Sequence, residues 1–131
     1  MDEYLIPGAN YKRLVEEYHK YGKLVIAFDF DNTVFDFHKK GLLYSHTINL
    51  LKEAKSVGFD CICFTAAEDY TFIEQYCEKN QIPLDGININ PPFFKTTSPK
   101  IYFNILLDDR SGLISAYYDL KALINYIKNI K

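Results

Sequence analysis

The sequence predicts an α/β fold, a single-domain three-layer sandwich in which helices cover a central, mostly parallel sheet. Two observations predict the sheet: strand-length apolar runs alternate with amphipathic segments of helical length, and most of these runs lack strict apolar/polar alternation. A third observation concerns function, because the three strongest runs all end in polar residues. Parallel sheets bind their ligands outside the carboxyl ends of the strands, so a site is expected there.

Bulk composition is that of an ordinary globular domain. The 131 residues are 48% hydrophobic and 24% charged, which is enough for one core and argues against disorder. The formal net charge of −2 provides no basic surface for polynucleotides, but it leaves single nucleotides and sugar phosphates open as partners.

Cysteine usage and hydropathy indicate the compartment. The three cysteines do not form a disulfide framework, so we interpret them as buried free thiols in a reducing environment. The first residues lack a signal-peptide pattern, and no apolar stretch reaches the roughly 20 residues of a membrane span. A cytoplasmic protein without membrane contact is expected.

The first half of the chain predicts a helix, a strand, an irregular flap and a second helix. Apolar residues at helical spacing predict a helix over residues 11–21, with a turn ending in a cap at Asn10 before it. Residues 24–28 (LVIAF) form a continuous apolar run that suits a strand buried on both faces. Residues 34–44, called the flap below, show no clean period, and Ser45 is expected to cap the next helix, closed by Gly58.

The second half repeats the alternation. The predicted elements are a strand over 59–64, a helix over 68–80, a short strand over 86–89, a Pro-rich loop over 90–99, a strand over 101–107 and a last helix from Leu113.

Carboxylates at the strand ends indicate chemistry rather than stability. Asp29 and Asp31 follow the first strand, Thr65 follows the second, and Asp108 and Asp109 follow the last. Several carboxylates at one partly dehydrated edge repel each other unless a cation binds them. Oxygen ligands without His or Cys favour Mg²⁺, a metal that proteins commonly use for phosphate chemistry.

Phosphoryl transfer needs a nucleophile, an acid/base and donors for the phosphate oxygens. Asp29 or Asp31 can supply the first two roles. Thr65, a lysine and free backbone N–H groups of residues 30–33 can supply the donors. ATP or NAD binding has no motif behind it, because neither a GxxxxGK[ST] loop nor a glycine-rich dinucleotide turn is present.

The order DFDNT (residues 29–33), Thr65, a lysine and Asp108-Asp109 resembles the four motifs of the haloacid dehalogenase superfamily of phosphohydrolases. The resemblance implies a Rossmann-like core, here the whole chain 1–131, and Mg²⁺ as cofactor. It implies that Asp29 is the nucleophile and binds the metal, while Asp31 is the acid/base and contacts the metal through its backbone carbonyl. Asp109 then ligates the metal directly, and Asp108 acts from further out.

The resemblance also implies a phosphate-binding set. Its members are the loop residues Phe30, Asn32 and Thr33, the second-motif residues Thr65 and Ala66, and a lysine. The short spacing to Asp108 favours Lys100 over Lys95 for that lysine. Asn32 stands where the family more often has glycine, and asparagine tolerates the unusual backbone angles of such a position.

No segment has room for a cap domain, so the flap is the main nearby element that could select a substrate. His38 and Tyr44 are its candidate substrate contacts, together with Phe35 and Phe37 for stacking. An open site of this kind suits a large substrate or closure by a second copy in a homo-oligomer.

Together these features predict a Mg²⁺-dependent phosphomonoesterase that acts through an aspartyl-phosphate on a small phosphorylated metabolite, either a sugar phosphate or a nucleotide. Two alternatives stay open: a binding or regulatory module with weak turnover, and a phosphatase for polynucleotide ends or phosphoproteins.

Overall fold

The protein is a parallel α/β sandwich. The computed structural model describes residues 2–131, which form a four-stranded, all-parallel sheet in the order β3-β2-β1-β4. The strands are β1 (Val25–Phe28), β2 (Asp60–Cys63), β3 (Gly86–Ile87) and β4 (Ile105–Leu107), and the helices are α1 (Ala9–Tyr21), α2 (Ser45–Ser56), α3 (Tyr70–Lys79) and α4 (Leu113–Ile130). The predicted α/β, Rossmann-like fold class with a central parallel sheet is confirmed.

Strand β1 is the centre of the sheet, and its position fixes the site. All four of its residues are buried, and it pairs with β2 on one side and β4 on the other. The pairing continues past the strand, since the Asp29 N–H donates to the Leu107 carbonyl at 2.9 Å and the Phe64 N–H to the Phe28 carbonyl at 2.8 Å. The chain segments that follow β1, β2 and β4 therefore emerge side by side.

The two faces of the sheet are covered by different kinds of structure. The main core joins Leu24, Ile26 and Phe28 to buried residues of all four helices. On the other face, Val25 and Ile62 pack against Ile101, with Tyr102 and Phe103 partly buried on top.

The second cover comes from the connection between β3 and β4, which contains no helix. Successive right-handed crossovers from β1 to β2 to β3 place α2 and α3 on one face. The β3–β4 connection must return across the other face, and its three prolines (Pro91, Pro92 and Pro99) disfavour a helix there.

Strand β4 is shorter than predicted. Of residues 101–107, only Ile105–Leu107 pair with β1. The side-chain oxygen of Asn104 accepts from the Val25 N–H at 2.7 Å, and Ile101 is used to cover the sheet face. Strand β3 is shorter too, covering Gly86–Ile87 of the predicted 86–89.

Three helix starts also differ from prediction. The residue before α1 is Gly8, and Asn10 instead donates from its side chain to Asp119 at 2.8 Å. Ser45 is the first residue of α2 rather than its cap; the preceding Tyr44 has a left-handed φ of 54° and caps with no side-chain hydrogen bond. Helix α3 begins later than predicted because the Asp69 carboxylate accepts from the Phe72 N–H at 3.0 Å, which sets its start.

The three cysteines are buried free thiols, as predicted. Burial raises the pKa of Cys61 to about 12 and raises the pKa of Cys63 further. These thiols are therefore protonated and inert at neutral pH. Among residues 2–131, no helix combines the length and the hydropathy that crossing a bilayer requires.

Candidate functional site

The loop after β1 is a tight turn built around Asn32. Asn32 has a left-handed φ of 62°, and its N–H donates to the Phe35 carbonyl at 2.8 Å. The carbonyl of Phe30 in turn accepts from the N–H groups of Thr33 and Val34 at 3.3 and 3.1 Å. Asparagine is among the few residues that adopt this φ readily, which accounts for its presence where a glycine is commoner.

Thr33 joins the loop after β1 to the loop after β4. Its side chain is fully buried, and its hydroxyl oxygen accepts from the Asp109 N–H at 3.1 Å. The hydroxyl proton has two carboxylate acceptors within reach, Asp29 at 3.3 Å and Asp109 at 3.4 Å. Thr33 thus lies where a bracing residue is needed, between the two acidic strand ends.

Three carboxylates converge at this edge. Asp29, Asp108 and Asp109 each offer an oxygen, and these oxygens all lie within 4.8 Å of one another. Ligand oxygens on opposite sides of an octahedral Mg²⁺ are about 4.2 Å apart, twice the metal–oxygen distance of about 2.1 Å. Adjacent ligand oxygens are only about 3.0 Å apart, so the three carboxylates would have to draw together around a single ion, although their all-oxygen donor set is the type that Mg²⁺ prefers.

Burial and like-charge repulsion shift the pKa values of the carboxylates at this edge. The pKa of Asp29 is raised to about 7, first by burial, then by a hydrogen bond with Asp109 and by the negative charges of Asp108 and Asp109. The pKa of Asp31 is also raised, by burial and the charge of Asp109, with His38 acting in the opposite direction. A bound cation would reverse the main like-charge repulsion.

Thr65 is held in place by a residue that the sequence did not single out. The Thr65 N–H donates to the Asn88 side-chain oxygen at 2.9 Å, and the Asn88 amide donates back to the Thr65 carbonyl at 2.8 Å. The Thr65 hydroxyl oxygen accepts from the Ala67 N–H at 3.0 Å. Asn88 follows β3 in left-handed conformation, so a fourth strand end contributes to the same edge.

These strand ends surround an open cleft of about 410 Å³. Most of its lining had been predicted from the sequence: Asp29, Asp31, Asn32, Phe37, His38, Thr65, Ala66, Asp108 and Asp109. Ala67 and Arg110 line it as well and were not predicted. Of the other predicted residues, Phe30 and Thr33 are buried, and Tyr44 does not line the cleft.

The structure does not bring either candidate lysine to the cleft. Lys100 lines a separate pocket of about 380 Å³ together with Phe94 and Tyr102, on the connection that covers the second sheet face. Lys95 lies in the same connection and is absent from the cleft lining. Because this connection runs back toward the start of β4, residues just before that strand lie away from its carboxyl end.

The flap has a fixed base and an exposed tip. The Phe35 ring stacks on the Phe30 ring with the ring centroids 5.1 Å apart, and it meets the Tyr76 ring edge-on. The Tyr76 hydroxyl donates to the Val34 carbonyl at 2.9 Å. The Asp36 carboxylate accepts from three backbone N–H groups of residues 40–42, which lower its pKa. Phe37 and His38 leave this base toward the cleft.

Comparisons with known proteins address the fold alone. No protein-family model matches the chain, and no curated protein matches it. A solved structure, the conserved protein coded by a locus from Bacteroides thetaiotaomicron, is similar with a TM-score of 0.60 and 21% identity. The alignment covers 83% of this chain and 93% of that one, so the likeness extends over most of both folds.

Proposed function

We propose that the protein is a Mg²⁺-dependent phosphomonoesterase in which Asp29 is the nucleophile. The observation that carries the proposal is the convergence of Asp29, Asp108 and Asp109 at one sheet edge, with their oxygens within 4.8 Å, in an open cleft beside Thr65. The motif resemblance to haloacid dehalogenase phosphohydrolases assigns the same residues.

The chemistry divides between two aspartates. An Asp29 oxygen attacks phosphorus, the bond to the ester oxygen breaks, and Asp31 gives its proton to that leaving oxygen. Asp31 then takes a proton from water as the water oxygen attacks phosphorus and releases Asp29. Burial and the charge of Asp109 raise the pKa of Asp31, which is the direction that favours a proton donor. Asp29, Asp109 and the Asp31 carbonyl would hold Mg²⁺, with Asp108 close behind them. When bound, the ion would neutralise negative charge on the carboxylates and on the phosphoryl oxygens.

The dimensions of the cleft favour a small substrate. A volume of about 410 Å³ lies at the lower end of the range for small-molecule sites. Phe37 and His38 at its rim can contact the alcohol part of the ester. A sugar phosphate or a nucleotide fits these dimensions and the weak net charge.

The test is hydrolysis of p-nitrophenyl phosphate and a panel of phosphorylated metabolites, with Mg²⁺ or with EDTA. We expect Asp29→Asn to lose at least about 10³-fold in kcat, because the amide is not a nucleophile. Asp31→Asn should lose about 10²–10⁴-fold, the contribution of general acid–base catalysis. EDTA should abolish turnover of the wild type.

Asp2→Asn is the matched control, since Asp2 is exposed and its side chain accepts only from the Tyr4 N–H. Equal turnover in wild type and Asp29→Asn would contradict the assigned nucleophile. Calorimetric binding of Mg²⁺ with no turnover on the whole panel would instead indicate a binding module.

A further inference from the structure

The cleft carries a surplus of negative charge, although its proposed substrate is itself an anion. Four aspartates line it, namely Asp29, Asp31, Asp108 and Asp109. With Asp31 carrying the proton that it donates, three carboxylate charges are left. A divalent cation offsets two of them, and an incoming phosphate dianion adds two more. The cleft therefore needs a further cationic group of its own to hold the phosphoryl oxygens.

Two basic side chains are found in the cleft lining, His38 and Arg110. An imidazole is only partly charged near neutral pH, whereas a guanidinium is always charged. Of the two lysines that the resemblance offers, Lys100 lines a different pocket and Lys95 is not part of the cleft lining. Arg110 is thus the permanent positive charge in the cleft as the structure describes it.

The backbone of Arg110 is fixed, but its side chain is not engaged. Its N–H donates to the Asp108 carboxylate at 2.9 Å, which holds the residue in the turn after β4. The side chain is exposed, and the ion pairs found within residues 2–131 involve Arg13, Lys23, Lys55 and Lys121 instead. A guanidinium that directly follows two carboxylates yet pairs with neither is available to a ligand.

We propose that Arg110 binds the non-bridging oxygens of the substrate phosphoryl group and fills the place that the resemblance assigns to a lysine. The inference rests on the proposed function, because it requires a phosphoryl group in this cleft. The planar guanidinium of Arg110 can donate to two phosphate oxygens at once, which a lysine ammonium does not. Thr65, on the neighbouring strand end, supplies a hydroxyl to the same group.

Calorimetric titration with inorganic phosphate, the reaction product, tests the assignment in the presence of saturating Mg²⁺. Arg110→Gln should weaken phosphate binding by about 10-fold or more, the usual effect of one lost charge-assisted hydrogen bond. Arg110→Lys should recover part of that loss, because it restores the charge without the planar guanidinium. Mg²⁺ binding without phosphate should be retained in both variants, which a general disruption of the site would not allow.

The matched control is Lys128→Gln, which removes an exposed positive charge at the far end of α4. Phosphate affinity that is unchanged in Arg110→Gln, or lost in Lys100→Gln instead, overturns the assignment while leaving the phosphatase proposal intact. A wild-type protein that binds Mg²⁺ but neither binds phosphate nor hydrolyses any ester overturns both.

Discussion

The two ends of the sheet differ in how their polar side chains are paired. At the amino end, Asn104 is buried and every polar atom of its side chain is paired: it accepts from the Val25 N–H at 2.7 Å and donates to Glu17 at 2.9 Å and to Tyr102 at 3.1 Å. Arg13 donates to the Asn104 carbonyl at 2.7 Å and to Glu17 at 2.6 Å. Donors and acceptors balance there without any ligand.

At the carboxyl end the same strands present like charges. Asp29, Asp108 and Asp109 converge, and the pKa of Asp29 is raised to about 7 as a result of burial and of its acidic neighbours. The difference teaches that the polar groups at the amino end stabilise the fold, whereas the carboxylates at the carboxyl end oppose it through burial and mutual repulsion. Substitutions at the two ends should therefore change stability in opposite directions.

The largest effect is expected at the amino end. Asn104→Ala removes the acceptor of the Val25 N–H and one of the two donors to Glu17, so the free energy of unfolding should fall by about 1–3 kcal/mol, the range for an orphaned buried polar group. Urea unfolding followed by circular dichroism measures it. Asn125→Ala, on an exposed position of α4, is the control and should change stability little. A comparable loss in both variants would break the contrast between the two ends.

A smaller effect of opposite sign is expected for Asp29→Asn in EDTA. Because the folded-state pKa of Asp29 is raised from 3.8 to about 7, the folded protein holds the proton more tightly than the unfolded chain. The stability from this proton is present below about pH 4 and is lost as pH rises through about 7. The variant does not titrate, so its stability relative to wild type should increase from pH 5 to pH 8.

Thermal unfolding at both pH values checks this prediction. Asp2→Asn, at an exposed position outside the cleft lining, should show no such pH dependence relative to wild type. A constant difference between wild type and Asp29→Asn across this range would show that the carboxylates do not repel each other in the folded state.

The smallest effect concerns the turn that positions Asp29 and Asp31. Asn32→Ala places a Cβ-bearing residue without a polar side chain at φ 62°, which should cost about 1 kcal/mol. Asn32→Gly should cost less, because glycine adopts this φ without strain. Urea midpoints of the two variants, beside Asn129→Ala on the surface of α4, measure the difference. Equal midpoints for Ala and Gly would show that the turn relaxes without loss.

The carboxyl-end residues were predictable because a parallel sheet brings its strand ends together whatever the loops do. Asp29, Asp31, Thr65, Asp108 and Asp109 needed only the recognition of three buried strands. The unusual backbone conformation of Asn32 was predictable as well, since few residue types accept a left-handed φ.

The rest depended on loop paths that residue patterns do not specify. Lys100 was expected in the site from its spacing to Asp108, but the β3–β4 connection carries it elsewhere. Arg110 was not predicted as a site residue, because its position in the cleft depends on the turn that follows β4. Asn88 was missed because its role depends on β3 ending beside Thr65.

The order of the strands has a further consequence for behaviour at high concentration. The two outermost strands are the shortest, with β3 spanning two residues and β4 three, while the inner strands span four each. An outer strand this short exposes few unpaired backbone groups along the sheet border. A neighbouring molecule would find few backbone groups with which to pair one of its own strands, so high concentration should not drive this fold into fibres.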